Sequence, residues 1–365
     1  MPKGTVYPSE SSTFRDAQTG ARIRQVTHHP SIHHHPFFFV PAYDSGMNRL
    51  FFISHRTGAP QVFAEERAGG RLIQLTDRSD LDQWSLYPAR NRQFILFTAG
   101  GAGWRLDVET LQETRIVDFG DDKTREEGMV GAAMGTTALS RDDRWWAVPV
   151  KTGDHFKLLL IDLQSGGTSV ILDGDKIGHP QFCPEDTNLI LYLAAMTDPL
   201  WVFDRDRHVN FRVYRRNVEK NEWITHASWI PGRREVCFVG WPHGVRAIHV
   251  DTGAQRQVAR FNAWHAVCSP DGLRMVADTN CPDIGLQLFD PLDGIGKPCR
   301  LCHPQASQVG EHWKGPFPYG SGPVKVYAPQ HTHPHPSFAP DGSRIVYTSD
   351  RTGHAQIYEC LLDRD

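Results

Sequence analysis

Short apolar runs alternate with turn residues along almost the whole chain. Stretches such as RIVYTS (344–349), QFILF (93–97) and KLLLID (157–162) are rich in β-branched, aromatic and leucine residues and are bounded by Gly, Asp or Pro. That is the pattern of strands. Helical periodicity is not sustained anywhere, and 32 Gly with 25 Pro suit a chain dense in turns. The strands recur as one unit: a short strand, a Ser-Pro-Asp-Gly-like turn, an apolar strand, a third strand ending near Asp, a Thr-Gly-like turn and a last strand. The clearest copy is HPSFAPDG-SRIVYTSD-RTGHAQIYECLLD, residues 335–363. Others open at SLYPARN (85–91), TTALSRDD (136–143) and HASWIPGR (226–233). Units begin near Phe37, Gln83, Thr136, His179, His226, His265 and His335.

Four short strands at roughly 40-residue spacing describe the blades of a β-propeller. The last unit runs out of chain at Leu362 after three strands, whereas Arg22–Thr27 (RIRQVT) resembles an outermost strand such as Arg71–Thr76 (RLIQLT). The expectation is an all-β, seven-bladed propeller forming a single domain over 1–365, its last blade closed by the N-terminal strand so that no sheet edge stays open. The spacing is uneven in one place. His265 and His335 are 70 positions apart, against 39 between His226 and His265, and the surplus is an insertion at 303–330 rich in Gly, Pro and aromatics. Long insertions of this kind commonly cover a site.

Composition narrows the setting. With 39 basic and 42 acidic residues the chain offers no net field for a polyanion, so nucleic acid is not expected as a partner. No apolar run reaches the roughly 18 residues of a membrane span, and the polar opening MPKGTVYPSESSTFRD lacks the apolar core of a secretory signal. Seven scattered cysteines, an odd number, fit a reduced cytoplasmic compartment. Cys299-Arg300-Leu301-Cys302-His303 matches a haem-attachment string literally. That chemistry needs export, so the string is read as a strand end with small buried cysteines. The oligomeric state is not encoded legibly.

The candidate chemistry is histidine. His179 (HPQFCPED), His226 (HASWIPGR), His265 (HAVCSPDG) and His335 (HPSFAPDG) occupy one register of four successive units, with Gln83 and Thr136 at the matching positions of two earlier ones. First strands of propeller blades line the central channel, so these side chains should ring one mouth. Strand alternation puts His333 and His335 on one face, stiffened by Pro334 and Pro336. One histidine in such a place more often caps a blade edge. His265, His333 and His335 together read as a divalent metal site open to Mn, Fe, Co, Ni or Zn, with no cysteine to favour a thiolate metal. His33-His34-His35 cannot all face one way and is read as a solvated loop. No Gly-Xaa-Ser-Xaa-Gly elbow or phosphate-binding glycine loop occurs. The pair Asp142-Asp143 belongs to a blade turn.

Gln330-His331-Thr332-His333-Pro334-His335-Pro336-Ser337-Phe338 closely resembles the metal-binding segment of the oligogalacturonate lyases, polysaccharide lyase family 22. The opening MPKGT…TFRDAQTGARIRQVT, the GHP at 178–180 and the TH..WIP at 225–231 resemble the same family. The resemblance implies a seven-bladed propeller that cleaves uronate oligosaccharides by β-elimination with Mn²⁺. By position it implies His265, Gln330, His333 and His335 as metal ligands, His226 as the general base, Arg212 assisting at the substrate, and His179 beside it. The segments PFFFVPAY (36–43), AAMTDPLWVFDRDRHVN (194–210) and 311–327 differ from the family's usual sequence, which leaves room for another uronate-containing acidic oligosaccharide. Two other readings remain open: a non-catalytic propeller of the TolB-like kind that binds a sugar or protein, and a metal-dependent sugar epimerase or isomerase using the same proton abstraction.

Overall fold

The computed structural model describes residues 2–91, 93–122, 135–195, 197–220, 222–292, 298–307 and 332–362. Seven separate antiparallel sheets form in it, each with four or five strands. This is the seven-bladed β-propeller. Among the described residues no helix is long and apolar enough to cross a membrane. The strands arise where β-branched and aromatic runs can be buried on both faces between neighbouring blades. Phe94–Ala99, for example, is buried at every position.

The innermost strands are His33–His34, Tyr87–Pro88, Ala138–Leu139, Gly178–Phe182, Trp223–Ile230, Ala263–Cys268 and Ser337–Phe338, for blades 1 to 7. Blade 7 is closed as its sequence suggested. Arg22–Gln25 pairs with Gln356–Leu361 through Ile23 with Cys360, Arg24 with Glu359 and Gln25 with Tyr358. The sequence pattern did not reveal the extra edge strands. Ser12–Arg15 adds a fifth strand outside Arg22–Gln25, and Val6–Tyr7 adds one to blade 1 beside Leu72–Gln74. The Cys299–Cys302 string is the outermost strand of blade 6, with Cys302 buried but Cys299 exposed. Asp143 sits in its turn as expected, accepting the Arg90 and Asn91 amides of the neighbouring blade at 2.9 and 2.6 Å.

The innermost strands are irregular at one level. In blade 4, Gly178 opposes Leu193 and Gln181 opposes Leu191, so three steps on one strand face two on the other. Blade 5 does the same between Thr225 and Ser228, and blade 6 between Ala263 and Ala266. In blade 7 the Thr348 amide bonds Pro334 O while Ser337 pairs with Val346. Each blade therefore carries a bulge, and the register histidine lies in it. His179, His226 and His335 adopt left-handed backbone angles, φ 52°, 48° and 48°. A bulge turns a side chain away from strand alternation and toward a site, at a backbone cost of roughly 1–2 kcal/mol for a non-glycine residue.

Blade 1 takes the irregularity further. His34 opposes Ile53 and Tyr43 opposes Leu50, so nine steps on the inner strand face three on its partner. The excess is PFFFVP (36–41), which leaves the sheet and places Phe37 against the register histidines of the other blades.

Candidate active site

Four bulges at one level aim four imidazoles at one another. Ring centroids of His226 and His265 are 4.0 Å apart, and those of His265 and His335 are 4.2 Å apart. His333 lies 5.6 Å from His265 and 5.7 Å from His335. His179 joins through Phe37, whose ring stacks on it at 5.0 Å and 24°. The same phenyl ring lies 5.0 Å from His335, 5.6 Å from His265 and 6.3 Å from His226. Four blades thus meet around one aromatic side chain. Phe38 packs on His265 at 5.2 Å. Beyond Phe38 and Phe39 the channel continues as a cavity of about 460 Å³ lined by Tyr87, Leu139, Phe182, Trp229 and Phe338.

Hydrogen bonds fix how the imidazoles present their nitrogens. His226 Nδ1 donates to the Trp264 carbonyl at 2.5 Å, which leaves Nε2 with its lone pair. His265 Nδ1 lies 2.9 Å from Asp278 Oδ2 and 3.2 Å from Oδ1, so the Asp278 carboxyl holds that ring by its far nitrogen. His335 Nε2 is buried and meets no hydrogen-bond partner among the described residues. Thr136 Oγ1 lies 2.9 Å from His179 Nδ1. Gln83 Oε1 accepts from His34 Nε2 at 3.3 Å and His55 Nε2 at 3.0 Å. The two non-histidine register positions therefore hold histidines in place.

Burial also decides protonation. It pulls the His226 pKa down to about 3, assisted by the nearby His179, and that of His179 to about 4, assisted by Lys176. His265 and His335 lie well below the ordinary imidazole value, first through burial and then through neighbouring imidazoles, His226 foremost for His265 and His333 foremost for His335. The ring is therefore neutral at neutral pH. That is the form needed to bind a metal or accept a proton.

Two imidazoles on one divalent ion at ~2.1 Å have ring centroids roughly 4.5–5.3 Å apart. The separations among His265, His333 and His335, 4.2 to 5.7 Å, bracket that range. Among the described residues no three His, Cys, Asp or Glu side chains already gather their donor atoms at ligand distance about one point. Seating an ion thus takes reorientation of these rings, for which the buried His335 Nε2, without a partner among the described residues, is available. Gln330 and most of the 303–330 insertion lie outside the described residues.

Arg212 is on the outermost strand of blade 4, opposite Trp201. Trp201 opposes Tyr192, which sits at the level of the His179 bulge. Three strand spacings, about 14 Å, separate its backbone from the innermost strand. Its guanidinium pairs with Asp198 at 2.8 Å and is 39 % exposed. Its described contacts lie with Asp198 and Trp201, so it is not drawn into the imidazole cluster.

The His33–His35 triplet is a correction. It is no solvated loop, since all three are buried. The residues face three ways: His33 toward Ser31, His34 onto Trp84 with ring centroids 4.1 Å apart, and His35 Nε2 to the His335 carbonyl at 2.7 Å. Sequence reasoning also missed Phe37 and Asp278. The only signal for Asp278 was one carboxylate inside the apolar strand MVADT (275–279).

Comparison with known proteins bears on the family and the fold. A family model described as oligogalacturonate lyase matches residues 1–364. An oligogalacturonate lyase of Dickeya dadantii is 24 % identical, covering 98 % of this chain and 97 % of that one. An oligogalacturonide lyase of Pectobacterium atrosepticum is 23 % identical with the same coverage. A solved oligogalacturonate lyase in complex with manganese superposes with a TM-score of 0.83 at 21 % identity, covering 100 % of this chain and 99 % of the other. The Vibrio parahaemolyticus oligogalacturonate lyase superposes with a TM-score of 0.82 at 18 % identity, covering 99 % of each. At those identities the structures speak for the fold, while the family model spans nearly the whole sequence. The chain belongs to the oligogalacturonate lyase family.

Proposed function

We propose that this chain cleaves short uronate oligosaccharides, oligogalacturonate in the first place, by metal-dependent β-elimination. The observation that carries the reading is the gathering of neutral imidazoles from blades 4 to 7 at one channel mouth in a chain of this family. His265, His333, His335 and Gln330 would hold Mn²⁺, the ion bound by the solved relative. When bound, that ion supplies positive charge to the substrate carboxylate as the enolate-like intermediate forms.

His226 takes the C5 proton. Trp264 O orients its ring and leaves Nε2 as acceptor, within 4.0 Å centroid distance of His265. The C5–H electron pair becomes the C4–C5 double bond, the C4–O glycosidic bond breaks, and the leaving oxygen takes up a proton. His179 contributes a polar edge beside the sugar. Arg212 pairs with a uronate carboxylate, with Asp198 restraining the guanidinium until substrate arrives. Seven free thiols support a reducing, cytoplasmic setting.

Purified protein incubated with Mn²⁺ and digalacturonate should generate a conjugated 4,5-unsaturated product, seen as rising ultraviolet absorbance and as monomer-sized masses. No absorbance rise on any uronide tested overturns the reading. An isomer of unchanged mass would point to the epimerase chemistry instead.

A further inference from the structure

Asp278 is fully buried in the second strand of blade 6, directly behind the bulge that carries His265. A bulge leaves backbone amides without ladder partners. Asp278 Oδ1 takes the His265 amide at 2.6 Å. Asp278 Oδ2 lies 2.9 Å from the His265 imidazole Nδ1 and reaches across the blade boundary to accept the His335 amide at 3.2 Å. On the far side of His335 the carbonyl is held by His35 Nε2 at 2.7 Å, and His35 is anchored by Thr348 Oγ1 at 2.8 Å. One carboxylate therefore grips two imidazole-bearing bulges on two blades. It ties the two bulges to each other and holds one of the two rings by its far nitrogen.

We propose that Asp278 is the positioning residue of the metal centre: it locks His265 as the Nδ1–H tautomer, turns its Nε2 lone pair toward the ion, and clamps His335 beside it. The proposal rests on the metal reading of His265 and His335. The physical logic is that of a carboxylate bonded to the far nitrogen of a ligating imidazole, which fixes ring orientation and raises its basicity. A carboxylate that merely filled the bulges would need only an acceptor for the two amides. The third bond, to Nδ1, is the one a filler role does not require.

Asp278→Asn keeps an acceptor for the His265 amide and removes both bonds made at Oδ2. The amide nitrogen presents a donor to Nδ1, which drives the ring to the Nε2–H tautomer, and a donor to the His335 N–H, which releases that bulge. Mn²⁺ titration calorimetry on the folded variant should show affinity reduced about 10–100-fold. In metal-free wild type, ¹H–¹⁵N imidazole spectra, assigned by difference against His265→Gln, should show the His265 proton on Nδ1. Wild-type Mn²⁺ affinity in a folded Asp278→Asn overturns the proposal, as does an Nε2–H tautomer in wild type. Should the variant not fold, the wild-type tautomer still decides. A wild type that takes up no Mn²⁺ overturns the metal reading itself and the proposal with it, and the calorimetry of wild type alone reveals that outcome.

Discussion

Phe37 contributes no polar atom, yet it sets the form of the site. Its ring is 3 % exposed and belongs to a core cluster with Phe38, Trp84 and Trp146, so it walls the imidazoles off from the rest of the channel. Truncation would leave a void between four blades that β-strands cannot collapse to fill. Phe37→Ala should therefore cost about 3–5 kcal/mol in denaturant unfolding. A loss under about 1 kcal/mol would mean that the ring is dispensable packing. Neither Phe37 nor Asp278 was legible from spacing, for physical reasons. Phe37 sits in an excursion whose length follows no repeat, and Asp278 acts from the second strand through a bulge that hydrophobic patterning cannot show. The register histidines were legible because each precedes its turn by a fixed count. Spacing could not show the protonation state of His226: burial lowers its pKa to about 3, which keeps the proposed base neutral but makes it weaker.

At the scale of the element, bulges aim the chemistry and a buried ion network closes the ring. Arg24 on the N-terminal strand pairs with Glu65 of blade 1 and with Glu359 of blade 7, the latter at 3.0 Å. Arg67 bridges the same two carboxylates at 2.6 and 3.0 Å, and Tyr43 donates to Glu359 at 2.8 Å. Burial alone pushes Glu359 upward, but Arg67 and Arg24 outweigh it and hold its pKa below the ordinary 4.5. A carboxyl whose folded pKa is depressed contributes stability above its unfolded value and loses it as pH falls through the folded one. Glu359→Gln should thus destabilise by about 1.5–3 kcal/mol at pH 7, since it removes one of the two carboxylates that the half-buried Arg24 and Arg67 share. In urea unfolding the gap to wild type should narrow as the pH drops below 4.5. A gap independent of pH would remove the carboxylate from the closure. The closing strand itself was legible, because RIRQVT copies RLIQLT and the last unit lacks a strand. The ionic network was not, since its partners come from three distant stretches brought together only by closing the ring.

At the scale of the whole molecule, a propeller converts sequence register into a ring. Residues 47, 39 and 70 positions apart become neighbours because each opens a blade at the same depth. A repeat that only stabilised the fold would have no need of three histidines with left-handed backbone angles at that depth. In the proposed function the ring is divided by task, with blades 6 and 7 holding the ion and blade 5 supplying the base. The most direct test is manganese content measured beside turnover on digalacturonate in two single variants, reconstituted and desalted in parallel with wild type. His226→Ala should keep the wild-type complement of Mn²⁺ and lose turnover, whereas His265→Ala should lose both. Retention of the metal by His265→Ala, or its loss from His226→Ala, would contradict the division of the ring.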